Sequence, residues 1–131
     1  LNTDSTLKGQ TVFLAERCGE LMYDNIITDR TIIDVMAFTQ CASSIDSIDK
    51  KAFEEYARNF IREYDYIFYV SPEGIDMEDN GVRETNLEYR NLIDYTIQNI
   101  LSSQSPRAKN ITTITGTTEE RIAQILNSTN S

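Results

Sequence analysis

Three short runs of β-branched and aromatic residues, each set between segments of helical spacing, constrain this chain most. They are Asn25–Arg30, Asp65–Val70 and Ile111–Thr115. Asp65-Tyr66-Ile67-Phe68-Tyr69-Val70 has the composition of a strand, and Ser71-Pro72 ends it. Ile111-Thr112-Thr113-Ile114-Thr115 reads as a strand stopped by Gly116. Asn25-Ile26-Ile27-Thr28-Asp29-Arg30 reads as a short buried strand ending in a charged pair.

Around these runs, apolar residues recur three and four apart. Thr11–Met22 carries Val12, Phe13, Ala15, Cys18, Leu21 and Met22. Thr31–Ala42 carries Ile32, Ile33, Met36, Ala37 and Cys41. The next helix, capped by Ser47 or Asp49, sets Ala52, Phe53, Tyr56, Ala57, Phe60 and Ile61 on one face. Leu87–Leu101 carries Tyr89, Leu92, Ile93, Ile97, Ile100 and Leu101. A last helix, capped by Thr117 or Thr118, holds Ile122, Ile125 and Leu126. Residues 73–86 are dense in charge, contain Gly74 and Gly81, and read as a solvated loop.

Strands separated by helices pair in parallel through right-handed crossovers. The expected fold class is therefore α/β, a parallel sheet of three strands with helices on both faces. So few strands leave an edge through which copies can self-associate. A length of 131 residues suits one domain, 1–131.

Charge and residue inventory exclude several functions. Twelve Lys and Arg against 21 Asp and Glu give a formal charge of −9. That balance argues against a partner made of nucleic acid and against an anionic membrane surface. It leaves room for a small anionic ligand held by a few focused arginines. The chain has no histidine and only two cysteines, Cys18 and Cys41. A Cys/His zinc site and a histidine-based nucleophilic site cannot be built from it. Both cysteines lie on apolar helix faces and read as core. No apolar run approaches the roughly 20 residues that cross a bilayer. Free thiols and no apolar signal segment point to the cytoplasm.

Chemistry is expected at the carboxyl ends of the strands, where open α/β sheets bind ligands. The first such end is Thr28-Asp29-Arg30, with Asp34 following. Asp29 is suited to hold Mg²⁺ or to accept a hydroxyl proton. Arg30 can meet a phosphate, and Asp34 can orient that guanidinium or touch a ligand hydroxyl. The same residues can instead form an ordinary helix start, with Asp29 as the cap and Arg30–Asp34 as an i, i+4 ion pair. The second end is Glu73–Arg83, followed by Arg90. Two arginines there could clamp a transferring phosphoryl group. The alternative is an acidic solvated loop, with Asp76, Glu78 and Asp79 in water beside two surface arginines. Tyr64, Tyr66 and Tyr69 read as packing residues.

In order along the chain, these segments resemble a family. Asn25–Asp34 resembles the strand and D-R-x-x-x-D segment of the NadR-like P-loop domains. Those domains are relatives of ribosylnicotinamide kinases and, more distantly, of nucleoside and nucleotide kinases. Tyr64–Glu73 resembles their next core strand, and Asp79-Asn80-Gly81-Val82-Arg83 with Arg90 resembles their lid. Thr113-Ile114-Thr115-Gly116 resembles their closing strand. The resemblance implies a P-loop NTPase-like fold and ATP with Mg²⁺ as cofactors. It implies phosphoryl transfer to a nucleoside- or nucleotide-like hydroxyl. It implies Asp29 as the catalytic acidic residue near Mg²⁺ or the acceptor hydroxyl, and Arg30 and Asp34 as acceptor-binding residues. Arg83 and Arg90 would be lid arginines on the ATP phosphates, with the lid spanning about 73–90. The G-x-x-x-x-G-K-[ST] loop that holds those phosphates does not occur in these 131 residues. The expectation is the C-terminal part of a larger domain, with that loop outside the chain. Two other readings are a regulatory ATPase or GTPase switch and a non-catalytic acidic interaction domain.

Overall fold

A computed structural model describes residues 5–72, 84–103 and 110–130, the side chains of 84–86 excepted. The elements are α1 (Leu7–Glu20), α2 (Ile32–Cys41), α3 (Ser47–Ala57), a 3₁₀ segment (Arg58–Glu63), β1 (Ile67–Val70), α4 (Glu84–Ser103), β2 (Ile111–Ile114) and α5 (Thr118–Thr129).

The core is organised around α2. Its sequence, IIDVMAFTQC, is apolar on almost every side, which marks a helix surrounded by protein. Ile32, Ile33, Val35, Met36, Ala37 and Thr39 are all buried. α1, α3, α4 and the 3₁₀ segment pack around it. Leu14 of α1, Phe53 and Ala57 of α3, Ile61, Tyr64, and Ile93 and Ile100 of α4 complete the cluster. Each large side chain removed from water contributes about 1.5–3 kcal/mol, which makes this cluster the main source of stability.

The sheet is smaller than the sequence suggests. β1 and β2 pair in parallel, with Ile67 opposite Ile111 and Val70 opposite Ile114. α4 is the crossover that a parallel pair requires. Asn110 secures the start of the pair: its carbonyl accepts from the Ile67 N–H at 2.8 Å, and its side-chain amide donates to the Asp65 carbonyl at 3.0 Å. The Tyr69 hydroxyl bonds to the Asp94 carboxylate, joining β1 to α4.

The three-stranded α/β sandwich, with its P-loop NTPase-like layout, is therefore corrected. The described residues form a mostly helical protein with a two-stranded sheet. The missing strand is Asn25–Arg30. Asn25 has φ 54° and Arg30 has φ 81°, so left-handed residues interrupt the extended backbone at both ends. Ile27, expected to be buried, is 98% exposed. Side chains satisfy backbone carbonyls here in place of a strand ladder: Arg17 donates to the Asp29 carbonyl and the Thr28 hydroxyl to that of Arg30.

Smaller corrections concern helix ends. Asp46, not Ser47 or Asp49, caps α3 by accepting from the Asp49 N–H at 2.8 Å. That helix tightens into the 3₁₀ segment before Phe60 and Ile61. Thr117 caps α5 as the sequence suggests, in a reciprocal capping box with Glu120. Gln124 then holds both backbone groups of Thr115, accepting from its N–H at 3.1 Å and donating to its carbonyl at 2.8 Å. The Glu73–Arg83 segment, Asp76, Glu78, Asp79 and Arg83 included, lies outside the described residues.

Candidate functional site

The start of α2 is fastened by side chains from near and far in sequence. The Thr31 hydroxyl accepts from the Ile33 N–H at 3.0 Å, and the Asp34 carboxylate accepts from the Thr31 N–H at 2.7 Å. The Ile32 N–H donates to the phenolic oxygen of Tyr64 at 3.0 Å. These bonds answer the orphan donors that a helix N-terminus leaves. Burial pushes the Tyr64 hydroxyl up to about 12, against a smaller opposing pull from the Ile32 N–H. Glu20 adds to the rise and Arg17 opposes it. Tyr64 is thus a neutral anchor for the helix.

Just ahead of this helix start, Arg30 holds φ 81°. A non-glycine residue in this region costs roughly 1–2 kcal/mol. Such strain persists where surrounding contacts over-determine it. Arg17 supplies one of them, reaching from α1 to the Asp29 carbonyl at 3.2 Å. Its guanidinium also lies 3.3 Å from the Glu20 carboxylate.

A cavity of about 560 Å³ opens between α1 and the first half of α2. Phe13, Val35 and Phe38 give it apolar walls, and Glu16, Arg17, Arg30 and Asp34 bring charge to it. Gln10 also lines it, buried to 3% exposure. Its amide donates to the Val35 carbonyl at 3.3 Å and to the Thr39 hydroxyl at 3.2 Å, which fixes α1 against α2. Cavities of this size, apolar with a few convergent polar groups, hold small organic molecules.

The expected site residues separate in space. Arg30 and Asp34 line the cavity together. Asp34 is also the capping acid of α2, a role the sequence reading offered to Asp29. Asp29 is exposed and does not line the cavity; its carbonyl is what Arg17 holds. Arg90 is exposed on α4 and is not among the lining residues. Gln10, Phe13, Arg17 and Phe38 line the cavity without having been singled out from the sequence.

Among the described residues, no group of three or more Cys, Asp or Glu side chains converges as a metal site. A second cavity, about 340 Å³, lies by Tyr69, Gln98, Ile111 and Thr113. Its polar groups Tyr69 and Gln98 already bond to each other and to Asp94. No family model, no curated protein and no solved structure matches this chain.

Proposed function

We propose that this chain carries the acceptor-binding part of an ATP- and Mg²⁺-dependent kinase that phosphorylates a nucleoside- or nucleotide-like hydroxyl. The observation that carries the reading is the shared cavity of Arg30 and Asp34, the two residues that the family resemblance assigns to an acceptor. Its volume, about 560 Å³, suits a nucleoside, and Phe13 and Phe38 offer aromatic faces for a planar ring.

The residues present suit three tasks. Arg30 can take an anionic or hydroxyl-rich part of the acceptor through its fork of donors. One Asp34 oxygen is held by the Thr31 N–H, and its second can orient an acceptor hydroxyl or draw off its proton. Phe13, Val35 and Phe38 can pack on a bound acceptor and so limit the water beside it, which otherwise competes for the phosphoryl group. ATP would supply the phosphoryl group and Mg²⁺ would spread its charge, with Asp29, next in sequence to Arg30 though outside the cavity lining, as the carboxylate proposed to meet the metal. Arg83 and Arg90 are proposed to meet the ATP phosphates. The phosphate-holding loop must come from residues other than these.

The test is phosphoryl transfer by the complete protein that carries these residues, from ATP to a panel of nucleosides and nucleotides with Mg²⁺ present. Transfer that falls when Arg30 or Asp34 is replaced supports the reading. Nucleotide binding with slow hydrolysis and no acceptor would favour a regulatory NTPase instead.

A further inference from the structure

We infer that Arg17 is a positioning residue for the acceptor site: it holds the Asp29–Arg30 segment against α1 so that Arg30 lines the cavity. The link to the acceptor rests on the kinase reading; the geometry does not.

Asp29 and Arg30 belong to no helix or strand, so no backbone ladder fixes them. Two side-chain bonds hold the segment's carbonyls. Arg17 donates to that of Asp29 at 3.2 Å, and Thr28 donates to that of Arg30 at 2.9 Å. The Thr28 bond is local and moves with the segment. The Arg17 bond comes from a packed helix and ties the segment to the body of the protein. Arg30 sits in a left-handed conformation at φ 81°, which relaxes unless something outside the segment restrains it.

Arg17 is itself well placed for the task. One oxygen of Glu20 is buried with no hydrogen-bond partner among the described residues, and the Arg17 guanidinium lies 3.3 Å from it. The two side chains are 22% and 31% exposed, so this part-buried pair orients the guanidinium on α1 rather than neutralising a buried charge. Both contacts use the same terminal nitrogen, Nη1. A lysine ammonium can therefore replace them in part, whereas glutamine keeps a donor and loses the charge. Arg17 lines the cavity as well, so its loss acts beside the ligand and not from a distance.

Trypsin cleavage of the full chain after Arg30 reads the hold directly, with cleavage after exposed Arg62 as an internal control. Opening of a restrained segment sets such rates, so Arg17→Gln should speed cleavage after Arg30 about tenfold. Cleavage after Arg62 should not change, and Arg17→Lys should stay within about threefold of the parent. In the complete protein, Arg17→Gln should raise the acceptor KM about tenfold with kcat nearly unchanged, and Arg17→Lys should restore it. Equal cleavage after Arg30 in all three proteins overturns the inference. So does a rise at both sites, which would mean general loosening, or a local rise with an unchanged KM. No transfer by the parent protein would defeat the kinase reading, while the cleavage pattern would still decide whether Arg17 holds the segment.

Discussion

The phenolic oxygen of Tyr64 accepts the backbone N–H of Ile32 at 3.0 Å, across 32 residues of sequence. This bond anchors the first turn of the central helix to the end of the 3₁₀ segment. Tyr64→Phe leaves the Ile32 N–H buried and unpaired, at a cost of about 1–3 kcal/mol. Chemical denaturation at neutral pH measures it.

The same residue predicts a pH effect of defined sign. Burial raises the Tyr64 hydroxyl from its ordinary value of 10 to about 12. Between those values the unfolded chain has lost the proton and the folded chain keeps it. Stability is therefore complete below pH 10 and falls as pH rises toward 12. Tyr64→Phe should flatten part of that decline. Absorbance titration should show Tyr64 ionising later than the exposed tyrosines, with Tyr89, which burial also raises, following the same direction.

Tyr89 gives the opposite mutational result. Its hydroxyl is buried and has no hydrogen-bond partner among the described residues, and its ring packs 6.3 Å from that of Phe38. Tyr89→Phe removes an unsatisfied polar atom and keeps the ring, so it should stabilise the protein by about 0.5–1.5 kcal/mol. Thermal unfolding of the two proteins side by side tests it.

Gln10 separates packing from polarity. Its partner, the Val35 carbonyl, also accepts from the Thr39 hydroxyl at 2.8 Å, so losing the glutamine does not orphan it. Gln10→Leu fills the same space and should change stability by less than about 1 kcal/mol. Gln10→Ala leaves a void between α1 and α2 and should cost about 2 kcal/mol or more. Equal effects would mean that the hydrogen bonds matter more than the packing.

How far the fold was legible follows from particular residues. The buried stripe of α2 could be read from spacing because nearly every position there is apolar. The pairing runs around Ile67 and Ile111 could be read from their β-branched and aromatic content. Asn25–Arg30 could not, because six residues are too few for periodicity to separate a strand from a tethered loop. What decided the matter was Arg17, twelve residues upstream of Asp29, and φ values that no composition reveals.

The site was legible only in part, for a related reason. Arg30 and Asp34 stand out because they are charged and follow an apolar run. Gln10 and Arg17 share a face of α1 with Leu7, Leu14 and Leu21 at three- and four-residue spacing. A polar residue recurring on such a stripe was the available signal. Phe13 stood out only as one of the apolar residues at helical spacing; it is 51% exposed and lines the cavity.

Arg30 provides the sharpest separation of stability from function. At φ 81°, glycine removes strain of roughly 1–2 kcal/mol and returns about 0.5–1 kcal/mol of it through a freer unfolded chain. Arg30→Gly should thus leave the protein as stable as the parent, or up to about 1.5 kcal/mol more stable. It also deletes the guanidinium from the cavity. The most direct measurement is ATP-dependent phosphorylation of a nucleoside and nucleotide panel by the complete protein and by its Arg30→Gly variant. Transfer by the parent, with at least about a tenfold loss in kcat/KM for the variant at an undiminished Tm, is the expected result. No transfer to any acceptor, or equal transfer by the two proteins, would contradict an acceptor site between α1 and α2.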